Sequence, residues 1–185
     1  MDDANLTALF VRGDERAIAE AESKYGSMLR RFALRILGNS EDAEECLNDV
    51  WLQAWRAIPA NPPDNLPAFL TTLTRRIALN RLKANNRLMR GGGHTPAALE
   101  ELSECIPAPD SVEAEYDRRR FLEALNRFLE TLPHDARVIF VRRYWYLNTT
   151  AEIAEAYRTS DVKVRVTLMR TRKKLKAFLE KEESL

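Results

Sequence analysis

Apolar residues recur at three- and four-residue spacing along nearly the whole chain, and no stretch of useful length alternates apolar with polar. That spacing lines up side chains on one stripe of a helix with 3.6 residues per turn, whereas a half-buried strand needs a period of two. The fold is therefore expected to be all-α. The chain has 185 residues, 45% of them hydrophobic and 31% charged, enough for one ordinary domain or two small ones.

Punctuation in the sequence favours two. Breaks are expected at Gly13, at Gly38-Asn39-Ser40 and at PANPPDNLP, residues 59–67. The segment 91–110, GGGHTPAALEELSECIPAPD, carries three glycines and three prolines and reads as a flexible linker. It would join a helical domain over 1–90 to a second over 111–185, the latter introduced by Asp110 and Glu113 at capping-box spacing.

Several functions are disfavoured at this level. No run of about eighteen apolar residues occurs, so no membrane span is expected, and the opening MDDANLTALF has acids where a signal peptide needs cations. A cytoplasmic location follows. Cys46 and Cys105 lie far apart without a CxxC motif, and His94 and His134 are isolated, so reduced structural thiols and no metal are expected. Neither a nucleophile–base pair nor a phosphate-cradling glycine loop is evident, so neither catalysis nor a cofactor is expected.

The net charge is only +1, yet the charge is segregated. Residues 163–176, KVRVTLMRTRKKLK, hold seven basic groups and no acid, and residues 75–90 hold six basic groups and no acid. Between them, residues 95–117 hold seven acids and no Lys or Arg. Two cationic surfaces on a nearly neutral chain suggest two faces for a polyanion.

In the C-terminal stretch, Val164, Leu168, Thr171, Leu175, Phe178 and Leu179 form one buried stripe. Upstream, TTAEIAEAY is expected to be a short helix with Thr149 and Glu152 as a capping box, followed by the turn Arg158-Thr159-Ser160, with Ser160 as the next N-cap. A helix, a tight turn and a longer basic helix make a helix-turn-helix, whose second helix enters a DNA major groove. Ser160, Lys163, Arg165, Val166, Met169 and Arg170 would meet base edges or nearby phosphates, and Arg172, Lys173 and Lys176 would hold the backbone. A solvated basic helix in an ordinary bundle is the plainer alternative.

Near the N-terminus, EDAEECLNDVWLQAW, residues 41–55, reads as an amphipathic helix with Ala43, Leu47, Val50 and Ala54 inward. Its outer face offers Glu41, Glu45, Asn48, Asp49 and Leu52. A leucine among carboxylates suits a protein partner better than water or DNA, although a single exposed leucine is also common. The next helix repeats Leu66, Leu70, Leu73, Ile77, Ala84 and Leu88 along one side, leaving Arg75, Arg76, Asn80, Lys83 and Arg87 elsewhere. Phe69 either stacks on an unpaired base or belongs to the core.

Taken together and in this order, RRFALRILGNSEDAEECLNDVWLQAW, PAFLTTLTRRIALNRLKANNR and LPHDARVIFVRRYWYLNTTAEIAEAYRTSDVKVRVTLMRTRKKL resemble the sigma-70 family of bacterial RNA polymerase sigma factors, in its small extracytoplasmic-function-like form with regions 2 and 4 alone. The resemblance implies a factor that binds core RNA polymerase and directs it to promoter DNA. By similarity, Glu41, Glu45, Asn48, Asp49 and Leu52 would meet the polymerase. Asp64, Asn65, Phe69, Arg75, Arg76, Asn80 and Lys83 would capture the melted minus-ten element, and the C-terminal helix would read the minus-thirty-five element. An anti-sigma factor is a further candidate partner. Arg76 stands where the family often has asparagine, and Arg158 and Val162 stand where it often has glycine. A stand-alone helix-turn-helix repressor and a helical protein adaptor remain as rival readings of the residues.

Overall fold

The computed structural model describes residues 1–88, 95–103 and 114–183, and these contain nine α-helices and no strand. They fall into two units, Met1–Thr95 and Pro96–Leu185. The capping box expected from Asp110 and Glu113 lies outside the described residues, as do Cys105 and His94.

The first unit comprises α1 (Asp3–Val11), α2 (Arg16–Leu37), α3 (Ser40–Ala57) and α4 (Leu66–Leu88). Helices α2, α3 and α4 each pack on the other two, and α1 packs on α2. The expected breaks have clear local causes. Gly13 and Gly38 take φ of 66° and 71°, a left-handed conformation that glycine adopts without a Cβ clash. Asn39 then starts α3 by accepting the Glu41 N–H at 2.8 Å, and Glu41 and Asp42 place negative charge at the positive end of the helix dipole.

The core of this unit is formed by Leu6 and Phe10 of α1, Leu29 and Ile36 of α2, Leu47 and Val50 of α3, and Leu66, Leu70 and Leu73 of α4. Each large side chain so buried contributes about 1.5–3 kcal/mol relative to exposure. Thr74 is also fully buried, and it donates its hydroxyl to the Leu70 carbonyl at 2.8 Å, so that hydroxyl is not stranded. Towards the end of α4 the inner residues are Ala78 and Leu82, and Ala84, expected on the inner stripe, is exposed. The arc of α4 that faces α3 at this level carries Arg81 and Asn85, which meet carboxylates of α3 instead of apolar groups.

The second unit contains α5 (Ala97–Ser103), α6 (Ala114–Thr131), α7 (His134–Tyr144), α8 (Thr150–Ala156) and α9 (Asp161–Glu183). Helix α9 packs on α6, α7 and α8. Of the stripe read from the sequence, Val164, Leu168, Thr171, Leu175 and Leu179 are buried there, and Phe178 is half-buried. Phe128 meets Phe140 edge-on at 6.2 Å and Phe178 at 5.6 Å, a geometry that suits the quadrupoles of the rings. The Thr149–Glu152 capping box forms, with Glu152 N–H to Thr149 Oγ1 at 3.1 Å and Thr149 N–H to Glu152 Oε2 at 2.9 Å. Ser160 Oγ accepts the Lys163 N–H at 3.2 Å, as an N-cap should. The span 91–110 expected as a flexible linker contains α5, which packs on α7. Among the described residues, no helix is long and apolar enough to cross a membrane.

Candidate nucleic-acid and protein interfaces

Three surfaces hold most of the residues that the sequence singles out. The first is the outer face of α3. Glu41, Glu45 and Asn48 are exposed, Asp49 is half-buried, and Leu52 is 46% exposed among them. Arg81 of α4, which the charge pattern counted only as one more cation, organises this face. It bonds Glu45, reaches Asp49 Oδ2 at 3.0 Å and stands 3.9 Å from Asp42 Oδ1. Asn85 adds a hydrogen bond to Asp42 Oδ2 at 2.9 Å. Burial works against the charge on Arg81, but its bonds to Glu45 and Asp49 outweigh burial and raise its pKa. The carboxylates are thus held in place and partly neutralised, with Leu52 exposed beside them.

The second surface lies between α3 and α4. Phe69 is half-buried and, with Gln53, Arg56, Ala57, Thr72, Leu73 and Arg76, lines an open groove of about 390 Å³. Arg76 donates to Gln53 Oε1 at 2.8 Å across it. At 100° per residue, Phe69, Arg76, Asn80 and Lys83 fall within about 60° of one another on α4, and Asn80 and Lys83 are exposed. Arg75 lies on a different side of the helix, half-buried, and burial lowers its pKa. Asp64 is exposed, while Asn65 accepts the Ala68 N–H at 2.9 Å and so serves as the N-cap of α4. Gln53 and Arg56 escaped the sequence reading. Gln53 follows Asp49 by one helical turn, and that spacing was the available signal.

The third surface is the solvent side of α9. By the same angular count Arg165, Met169 and Arg172 fall within about 60°, whereas Lys163 and Arg170 sit about 100° or more round the helix from Met169. Lys163, Arg165, Met169, Arg170 and Lys173 are exposed, and Ser160 lies at the exposed helix start. Arg165 pairs with Asp161 at 2.6 Å, an exposed contact one turn apart that costs little to break. Arg165, Val166 and Met169 border an open groove of about 540 Å³ together with Arg143, Arg172 and Glu101.

Glu101 belongs to α5, and its carboxylate receives Arg143 Nη2 at 2.5 Å, Arg143 Nε at 3.3 Å, Arg172 Nη1 at 3.1 Å and the Tyr144 hydroxyl at 3.2 Å. Arg172 Nη1 also donates to the Tyr144 oxygen at 2.7 Å. Burial alone would raise the Glu101 pKa, but the hydrogen bonds and charge of Arg143, with the charge of Arg172 and the Tyr144 hydroxyl, lower it overall. Burial pushes the Tyr144 phenol up to about 12 against the opposing pull of Arg172, so it stays a neutral donor. Arg143 was also missed, and it did leave a trace. It falls on the apolar stripe of Ile139, Phe140 and Tyr144, all buried, where a cation requires an anion.

The Sigma-70 region 2 family model matches residues 23–88, within the first unit, and the Sigma-70, region 4 model matches residues 122–175, within the second. The chain is 25% identical to the ECF RNA polymerase sigma factor SigE of Mycolicibacterium smegmatis, over 99% of this chain and 71% of that protein. It is 30% identical to the ECF RNA polymerase sigma factor SigJ of Mycobacterium tuberculosis, over 80% of this chain and 47% of that protein, so it spans about half the length of SigJ. The solved structure of CnrH in complex with the cytosolic domain of CnrY aligns over 96% of this chain and 97% of that one, at 23% identity and a TM-score of 0.42. With region 2 and region 4 each matched inside its own helical unit, and in that order, the chain belongs to the sigma-70 family as an alternative sigma factor of the extracytoplasmic-function type, directing transcription initiation.

Proposed function

We propose that the chain binds core RNA polymerase through the outer face of α3 and delivers promoter DNA through two further surfaces, one for melted and one for duplex DNA. Residues 1–90 supply the polymerase contact and the minus-ten contact, residues 111–185 supply the minus-thirty-five contact, and 91–110 connects them. The observation that carries the reading is the exposure of Leu52 within a braced set of carboxylates, on a unit whose neighbouring groove is cationic and aromatic. A polymerase-facing anion patch and a base-stacking groove ask for two different partners.

In this mechanism Phe69 stacks on an extruded base, which regains about 1–3 kcal/mol of the unstacking cost. Arg76, Asn80 and Lys83 hold the flanking strand. Arg165, Val166 and Met169 face base edges in the major groove, with Lys173 on phosphate. The chain contributes binding free energy alone, and bond-making is left to the polymerase, in the cytoplasm. An anti-sigma factor would act by covering the α3 face or the α9 face.

The test mixes the purified chain with bacterial core polymerase and a promoter library at low salt. Promoter-specific transcripts are expected only when both are present. Transcripts unchanged when Leu52→Asp replaces the unaltered chain would show that the α3 face is not the polymerase contact.

A further inference from the structure

The contact of Glu101 of α5 with Arg172 of α9 is not required for binding polymerase or promoter DNA. The α5 helix is seven residues long, too short to persist in water without tertiary contacts. It is held by buried Ala98 and by the Glu101 carboxylate set between Arg143 and Arg172. Arg143 is 9% exposed, and Nη1 also donates to the Asn148 carbonyl at 3.0 Å. Two guanidinium groups and a phenol hydroxyl converging on one point form a seat for a single anion with two acceptor oxygens. Glu101 fills that seat and also forms part of the wall of the groove that Arg165, Val166 and Met169 border.

Resting on the reading of α9 as the duplex-binding helix, we propose that Arg143, Arg172 and Tyr144 form a phosphate seat for duplex DNA, closed in the free chain by Glu101 of α5 acting as an internal competitor. A DNA phosphate offers the same charge and the same paired oxygens, so the exchange replaces one charge-assisted set by another and leaves no buried cation unpaired. While α5 is seated, its carboxylate also repels the phosphate backbone at the edge of the reading face. The free chain would then bind duplex weakly, and release of α5 would add Arg172 and Arg143 to the cations of α9 already exposed.

The experiment uses the full chain and a mixed-sequence duplex of about 20 base pairs at low salt, since phosphate contacts do not depend on sequence. Glu101→Gln is expected to bind about ten-fold more tightly, with the slope of log affinity against log salt steeper by about 1–2. Equal or weaker binding overturns the proposal. Hydrogen exchange on the unaltered chain gives a second readout that does not depend on how the variant folds. Amides of residues 98–103 are expected to lose protection when duplex is added, and retained protection overturns the proposal. Arg165→Ala separates the two levels. If it weakens duplex binding while α5 of the unaltered chain stays protected at saturating duplex, the internal competitor alone is overturned. If it binds like the unaltered chain, the reading of α9 falls and the proposal falls with it.

Discussion

Arg158 has a φ of 50°, on the turn between α8 and α9, where an L side chain crowds the following carbonyl. The turn forms all the same, closed by Thr159 N–H to the Ala154 carbonyl at 2.9 Å. Arg158→Gly should therefore stabilise the second unit by about 1 kcal/mol, read as a rise in its thermal midpoint. Asn65 offers a sharper separation of roles, since it caps α4 and also lies among the residues assigned to minus-ten DNA. Asn65→Ala should cost about 1 kcal/mol of stability. Asn65→Asp should keep the cap, because Asp caps as well as Asn, while weakening single-strand binding through repulsion. Equal DNA binding by Asn65→Asp at unchanged stability would remove Asn65 from that surface. Cys46 is another residue whose behaviour follows from position. Burial pushes its thiol up to about 11, with Arg81 and Asp49 as opposing lesser influences, so in a Cys105→Ser background it should resist thiol reagents at pH 8 until the protein unfolds.

At the scale of the element, helix positions were legible because apolar periodicity and caps act locally. Gly38, Asn39, Thr149 and Ser160 each announce a boundary through backbone chemistry that needs no distant partner. What could not be read is set by contacts between elements. Arg172 reads as one more phosphate-binding cation, and nothing local signals that α5 brings Glu101 to it from 71 positions away. Ala84 fits the inner stripe of α4, but the neighbouring helix presents acids there and Arg81 and Asn85 face them. The α5 segment itself was hidden by the glycines and prolines around it, which lowered its apparent helicity. Its attachment predicts a pH dependence. The Glu101 pKa is lowered from the ordinary 4.5, so its contribution to stability is complete above that value and is lost as pH falls through the lower, folded-state pKa. Acidification below about pH 4.5 should then destabilise the second unit of the unaltered chain more than that of Glu101→Gln, in paired thermal melts; parallel curves would show that the carboxylate contributes nothing to folding.

Over the whole molecule, the proposed division of labour makes its own demand. Leu52→Asp and Asp49→Arg should weaken core-polymerase binding, with little change in duplex affinity. Arg165→Ala and Arg170→Ala should do the opposite, and competition against a labelled sigma factor beside duplex titrations would measure both. A loss of at least about ten-fold, or 1.4 kcal/mol, is expected for Leu52→Asp, which places a charge where an apolar contact is needed. Unaltered core affinity in both α3 variants would mean that another face meets the polymerase. Arg165 and Arg170 also test geometry, since they lie on different flanks of α9 and only Arg165 borders the groove. A larger effect of Arg165→Ala is expected.

The pairing of Arg143 with Glu101 also bears on where the protein can be cut. A fragment starting at residue 111 would leave behind the only carboxylate that Arg143 meets among the described residues, whereas one starting at Pro96 would retain it. The shorter piece should cling to heparin resin and to phosphate buffer in a way the longer piece does not. Affinity measured on it would describe a domain already stripped of its own counter-ion.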